Sequence, residues 1–113
     1  MISGPLKSAA KRVAPPRVNS VTIGDTRYKA IHWGRERGLG QNGGYIAAID
    51  PKSRKELWTL KIYDVAYDPR LEEDVQDVFI SAIRGLGDGR VEITDEDDRR
   101  YLLNVETRTV TPR

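Results

Sequence analysis

Residues 45–63 read YIAAIDPKSRKELWTLKIY, and this stretch decides the fold. Trp58, Leu60 and Ile62 alternate with Thr59 and Lys61. That period of two marks a strand with one buried face. Tyr45–Ile49 is a second short apolar run. Between the two runs lies Asp50-Pro51-Lys52-Ser53, which has turn chemistry. Proline presets φ, and an aspartate side chain bonds to backbone amides just beyond it. Two extended runs joined by such a turn form a hairpin, so the centre of the chain is expected to be antiparallel sheet.

Upstream, order is expected to begin at 18–23, with Val21 and Ile23 on one side. Gly24-Asp25 suits a tight turn. Residues 26–33 then alternate, with Arg27 and Lys29 on the same side as Ile31 and Trp33, opposite Tyr28, Ala30 and His32. Downstream, 68–86 admits two readings. Leu71, Val75, Val78, Phe79, Ala82, Ile83 and Leu86 fit a helical stripe, which Asp68-Pro69 would start and Gly85 would end. Val78-Phe79-Ile80 is instead a run of strand-favouring residues. We expect a short helix near 69–75 and a strand from Asp77, with one helix over 69–86 as the alternative. Val91-Glu92-Ile93-Thr94 alternates as a strand does, Asp95 to Asp98 is an acidic turn, and 99–105 and 107–110 close the chain as strands.

The fold expected is therefore mainly β: a small antiparallel barrel or a two-layer sandwich of consecutive hairpins. An α+β domain follows if 69–86 is helical. The core is expected to draw on Val21, Ile23, Ile31, Ile46, Ala48, Trp58, Leu60, Ile62, Val78, Ile80, Val91, Ile93, Tyr101 and Leu103.

The hairpin sequence at 45–58 resembles the repeat of pyrroloquinoline-quinone-type β-propellers through Ile49, Asp50, Glu56, Leu57 and Trp58. In that repeat an apolar strand ends in Leu-Asp, turns, and resumes at Glu-Leu-Trp. The usual glycine before the second strand is Arg54 in this chain. The likeness spans one hairpin and implies that hairpin, without quinone binding. A fainter echo lies at 101–110, YLLNVETRTV. As a whole the chain resembles small bacterial proteins of unknown function. They pair a Gly-Gln-Asn-Gly-Gly loop, here Gly40 to Gly44, with a Leu-Trp strand and an Asp-Val-Gln-Asp-Val-Phe-Ile segment, here Asp74 to Ile80. That resemblance implies no activity.

At 113 residues the chain has the size of one domain. It is 38% hydrophobic and 32% charged, which describes a thin core under a well-solvated surface. With no cysteine, disulfides, thiolate metal sites and thiol nucleophiles are excluded, and a cytoplasmic location is expected. No run approaches a membrane span, and no membrane partner is expected. Residues 1–17 lack the apolar core of a signal peptide and read as a disordered basic tail ahead of a single β domain at 18–113. Residues 1–40 carry eight Lys/Arg against two Asp/Glu, whereas the remainder carries eleven against fifteen. A basic front therefore precedes an acidic body.

Residues 34–44 hold five glycines. Glycine gathers where backbone turns sharply or approaches something closely. Gly38 to Gly43 spells the dinucleotide-binding glycine pattern, but the run Tyr45–Ile49 that follows is a strand. The dinucleotide fold needs a helix there. The leading expectation is a non-catalytic module that binds an unidentified protein partner through this loop, with contacts from Trp33, Arg35, Arg37, Gly40, Gln41, Asn42 and Gly43. The alternative is nucleic-acid or polyanion binding through Lys7, Lys11, Arg12 and Arg17, with Arg27, Lys29, Arg35 and Arg37 beyond them and Tyr28 and Trp33 interleaved. A third reading is a small hydrolytic enzyme using His32, the single histidine, with Glu36 nearby. No spacing supplies a nucleophile, so no enzyme is expected. The run Asp95 to Asp98 lacks the ligand pattern of a calcium loop, and both it and the carboxylates Glu72, Glu73, Asp74 and Asp77 read as solvated turns. No metal and no cofactor are expected.

Overall fold

The computed structural model describes residues 14–72 and 74–113. The expectations for Lys7, Lys11, Arg12 and Glu73, and for disorder over 1–13, lie outside the described residues.

Eight strands form two antiparallel sheets, each a meander of consecutive neighbours. The first contains β1 (Val21–Ile23), β2 (Thr26–Ile31), β3 (Tyr45–Ile49) and β4 (Glu56–Lys61). The second contains β5 (Ile80–Gly85), β6 (Arg90–Asp95), β7 (Arg100–Asn104) and β8 (Thr109–Pro112). The hairpin at 45–63 forms as the sequence implies, pairing Ile46 with Leu60 and Ala48 with Trp58, with an irregularity at Ala48/Ile49. Among the described residues the one helical segment is a 3-10 turn at Gly34–Arg37.

Several expectations are corrected. The sheets do not close into a barrel: β1 and β4 end the first sheet, and β5 and β8 end the second. No helix forms over 69–75, where the described chain makes turns, and the α+β alternative fails because Ile80–Gly85 is a strand. The reason lies in where the apolar stripe points. Leu71 and Val75 are 57% and 41% exposed, whereas Phe79 and Ile80 are fully buried. A helix carrying all four on one face needs one shared burial site for them. Instead the Gln76 side chain closes the segment, accepting from Asp68 N at 2.6 Å and donating to the carbonyls of Asp68 and Glu72, both at 3.1 Å. The strand also starts later than Asp77, because that carboxylate is held by Tyr67 and Asn42.

One hydrophobic cluster draws on both sheets. Tyr28, Ala30, Ile46 and Ala48 come from the first, and Ile80, Ile83, Val91, Ile93 and Leu103 from the second. Burying each large aliphatic chain contributes about 1.5–3 kcal/mol. Tyr63 and Tyr101 stack within it, with ring centroids 5.1 Å apart. Ile31, expected in this core, lies instead in a separate small cluster with Tyr45 and Ala47. The alternation of β2 sends Tyr28 and Ala30 inward, which places Ile31 with Arg27 and Lys29 on the other face.

Candidate functional site

The glycine-rich loop is folded hard against the rest of the chain. Gly34 N donates to Asn42 O at 2.9 Å, and Leu39 N donates to Gly34 O at 2.9 Å. Gly38 takes the left-handed conformation (φ 80°) that ends the 3-10 turn. The Gln41 side chain, 5% exposed, donates to the carbonyls of Gly43 and Tyr63 and accepts from Val65 N, each at 2.9 Å. Any Cβ on Gly43 would strike the carbonyl oxygen of Val78. Asn42 accepts from Arg35 N at 3.2 Å and donates to Asp77 at 3.0 Å. Tyr67 donates to the same carboxylate at 2.6 Å. Burial, reinforced by that bond, pushes the Tyr67 hydroxyl up to about 12.

The loop therefore rivets the end of the first sheet to the segment that crosses to the second, and close approach or positive φ accounts for Gly34, Gly38, Gly43 and Gly44. The seven residues singled out from the sequence divide accordingly. Gln41, Asn42 and Gly43 face inward on structural bonds and contacts. Gly40 is exposed. Trp33 is 46% exposed and meets Phe79 edge-on. Arg35 lies 4.9 Å over the Tyr67 ring. Arg37 forms an ion pair with Glu56 of β4. The His32 ring also packs edge-on against Phe79, and its Nε2 lies 2.8 Å from Pro16 O.

The acidic run at the β6–β7 turn is architectural as well. The fully buried carboxylate of Asp95 accepts from Asp97 N, Arg99 N, Arg99 Nε and the Tyr101 hydroxyl at 2.8–3.0 Å. Among the described residues no three His, Cys, Asp or Glu side chains converge on a metal position. No described helix is long and apolar enough to cross a membrane.

A different surface was missed in the loop-centred reading. On the outer face of the first sheet, Arg27 pairs with Ile49, Lys29 with Ala47, and Ile31 with Tyr45. The short side chain of Ala47 leaves a concavity of about 430 Å³ over Ile31, Ala47 and Ile49. Lys29 lies along it, Trp33 stands at one end, and the Arg37–Glu56 pair bridges from the loop to β4 across it. A second hollow of about 360 Å³ continues past Lys29 and Ile49 to Ser20, Arg27 and Arg54. The two form one shallow groove.

Its charge is distinctive. Among the described residues Arg27, Lys29 and Arg54 form no ion pair, whereas in the second sheet Arg84 and Arg113 both bind Glu92, Arg90 binds Asp88, and Arg99 binds Asp95. Glu36 and Glu56 line the groove as well, and the Arg37 guanidinium holds Glu56 below the usual carboxylate range. The signal for this surface was present in the sequence, because the alternation of β2 already put Arg27 and Lys29 beside Ile31. The contribution of Ala47, Ile49 and Arg54 needed the strand register.

The chain matches no family model. A search of the curated proteins finds no match either.

Proposed function

We propose that the chain is a non-catalytic, cytoplasmic binding module whose contact surface is the groove on the outer face of the first sheet. The 34–44 loop is its end wall rather than its recognition element. With the two sheets taken as the layers of a sandwich, this face lies away from the shared core, its floor residues Ile31 and Ala47 buried beneath the side chains at the rim and Ile49 half-buried. One observation carries the proposal: Arg27, Lys29 and Arg54 crowd a groove with an apolar floor and form no ion pair among the described residues, while in the second sheet Arg84, Arg90 and Arg113 are ion-paired. Glu36 and Glu56 also line the hollow, with Glu56 held by Arg37, so the positive potential gathers at the Arg27, Lys29 and Arg54 end of the groove. Fold stability gains nothing from such an arrangement, whereas an anionic ligand supplies its missing half.

The test uses a small polycarboxylate, citrate, with the parent and the double variant Arg27→Ser, Lys29→Ser. The double substitution is expected to leave urea stability within about 0.5 kcal/mol, as for exposed side chains. Citrate is expected to raise the melting temperature of the parent and not of the variant. An equal citrate effect in both, or a stability loss of about 2 kcal/mol or more, overturns the proposal by making these cations irrelevant to binding or part of the fold.

A further inference from the structure

We infer that the groove takes an extended, acidic polypeptide segment, an inference that rests on the groove's being the binding surface. Arg27 and Lys29 lie two residues apart on one face of β2, a spacing of about 6.4–6.8 Å along a strand. Carboxylates at alternate positions of an extended ligand recur at that same interval. Beside the cations the floor is apolar: Ile31 and Ala47 lie deep in it and Ile49 is half-buried. A ligand that alternates Asp or Glu with short aliphatic residues places its acids on the β2 side and its methyl groups against Ile49 of β3. Arg54 extends the row of cations at one end. At the other end Arg37 already holds a carboxylate, that of Glu56, and both side chains are 39% exposed. Glu56 thus occupies the position that a ligand acid can take.

Nucleic acid fits this surface less well. Binding of single strands relies on aromatic stacking, and Trp33 is the one exposed ring lining the groove. Beyond residue 40 the chain carries eleven Lys/Arg against fifteen Asp/Glu, so a long polyanion leaving the groove meets a repelling body. A short peptide does not extend that far.

Fluorescence anisotropy at low salt tests the inference with labelled peptides that alternate Asp with Val or Lys with Val, and with an oligothymidylate matching the charge of the acidic peptide. The acidic peptide is expected to bind, and to weaken as added salt screens the charges. Arg27→Glu with Lys29→Glu is expected to lower its affinity about tenfold or more, and Glu56→Gln to raise it about threefold by releasing Arg37. Arg90→Glu, on the other sheet, leaves it unchanged. Thermal melts establish that each variant folds, and Lys29→Ser replaces the double reversal if that variant does not. Tighter binding of the oligothymidylate or the basic peptide, or an affinity indifferent to Arg27 and Lys29, overturns the inference. Failure of the acidic peptide to bind overturns it too: if citrate still stabilises the parent selectively, only the ligand class falls, and if citrate also fails, the groove falls with it.

Discussion

Arg54 closes the β3–β4 turn with a φ of 63°, and Arg108 closes the β7–β8 turn with a φ of 59°. Each donates its N–H to the carbonyl four residues earlier, Asp50 and Asn104, at 2.7 Å. The side chains of those two residues accept from Lys52 N and Glu106 N at 3.1 and 3.0 Å. The faint likeness between 45–58 and 101–110 is therefore a shared turn in which arginine stands where glycine fits best. Arg54→Gly removes the Cβ strain of the left-handed conformation and is expected to stabilise the fold by about 0.5–1 kcal/mol in urea unfolding. Because Arg54 lines the groove, the same change is expected to weaken binding of acidic peptide. A loss of stability contradicts the turn assignment. Glycine substitutions separate close approach from mere presence in a loop. Gly43→Ala forces a methyl group into the Val78 backbone and is expected to cost about 2–3 kcal/mol, whereas Gly40→Ala, with open space around it, changes stability by less than about 0.5 kcal/mol. Equal effects sink the rivet. The sequence displays the glycines of this loop plainly. It does not display the burial of Gln41, whose partners Tyr63 and Val65 lie more than twenty residues away and follow no local period.

Among elements, the legible ones were those with a single apolar face. The β3–β4 hairpin declares itself through Trp58, Leu60 and Ile62. Strand β2 is legible as a strand through its alternation, but its buried face is not, because both faces carry apolar residues: Tyr28 and Ala30 inside, Ile31 outside. Choosing Ile31 for the core on hydrophobicity alone hid the groove. The helical stripe over 71–86 is real as a pattern and empty as a structure, since its first half faces solvent and its second half is a strand. Acidic turns are similarly ambiguous, because a solvated carboxylate and a buried one look alike in sequence. In the β6–β7 turn Asp95 organises the turn itself, and Glu96 accepts from Phe79 N at 2.9 Å. Asp95→Ala strips four donors of their acceptor and is expected to cost about 3–5 kcal/mol in urea unfolding, while Asp97→Ala costs less than about 1 kcal/mol. Similar costs for the two contradict the assignment of Asp95 as the anchor.

Across the molecule, tyrosines tie the two sheets and the crossing segment to pH. Burial raises the hydroxyls of Tyr28, Tyr63, Tyr67 and Tyr101 above their ordinary value, with Tyr67 at about 12. A group whose pKa is higher in the folded state stabilises that state below its unfolded pKa, near 10, and the contribution is lost as pH rises through the folded value. Stability is therefore expected to fall between about pH 10 and 12, and Tyr67→Phe is expected to flatten part of that fall in urea unfolding at each pH. A flat profile across this range contradicts the burial of these rings. Charge shows a second asymmetry at this scale: Arg84, Arg90 and Arg113 of the second sheet are ion-paired, whereas Arg27 and Lys29 of the first form no ion pair among the described residues. The count of basic residues near the front of the chain foretold a positive region. Its placement over Ala47 depended on strand pairing that no local pattern encodes.

The most direct measurement is an amide chemical-shift map of the protein titrated with the peptide that alternates Asp and Val. Shifts are expected at 27–33, 47–49, Arg54 and Glu56, with the amides of β5–β8 unmoved. Shifts centred on the second sheet or on 41–44, or no shifts at low salt, would contradict the account.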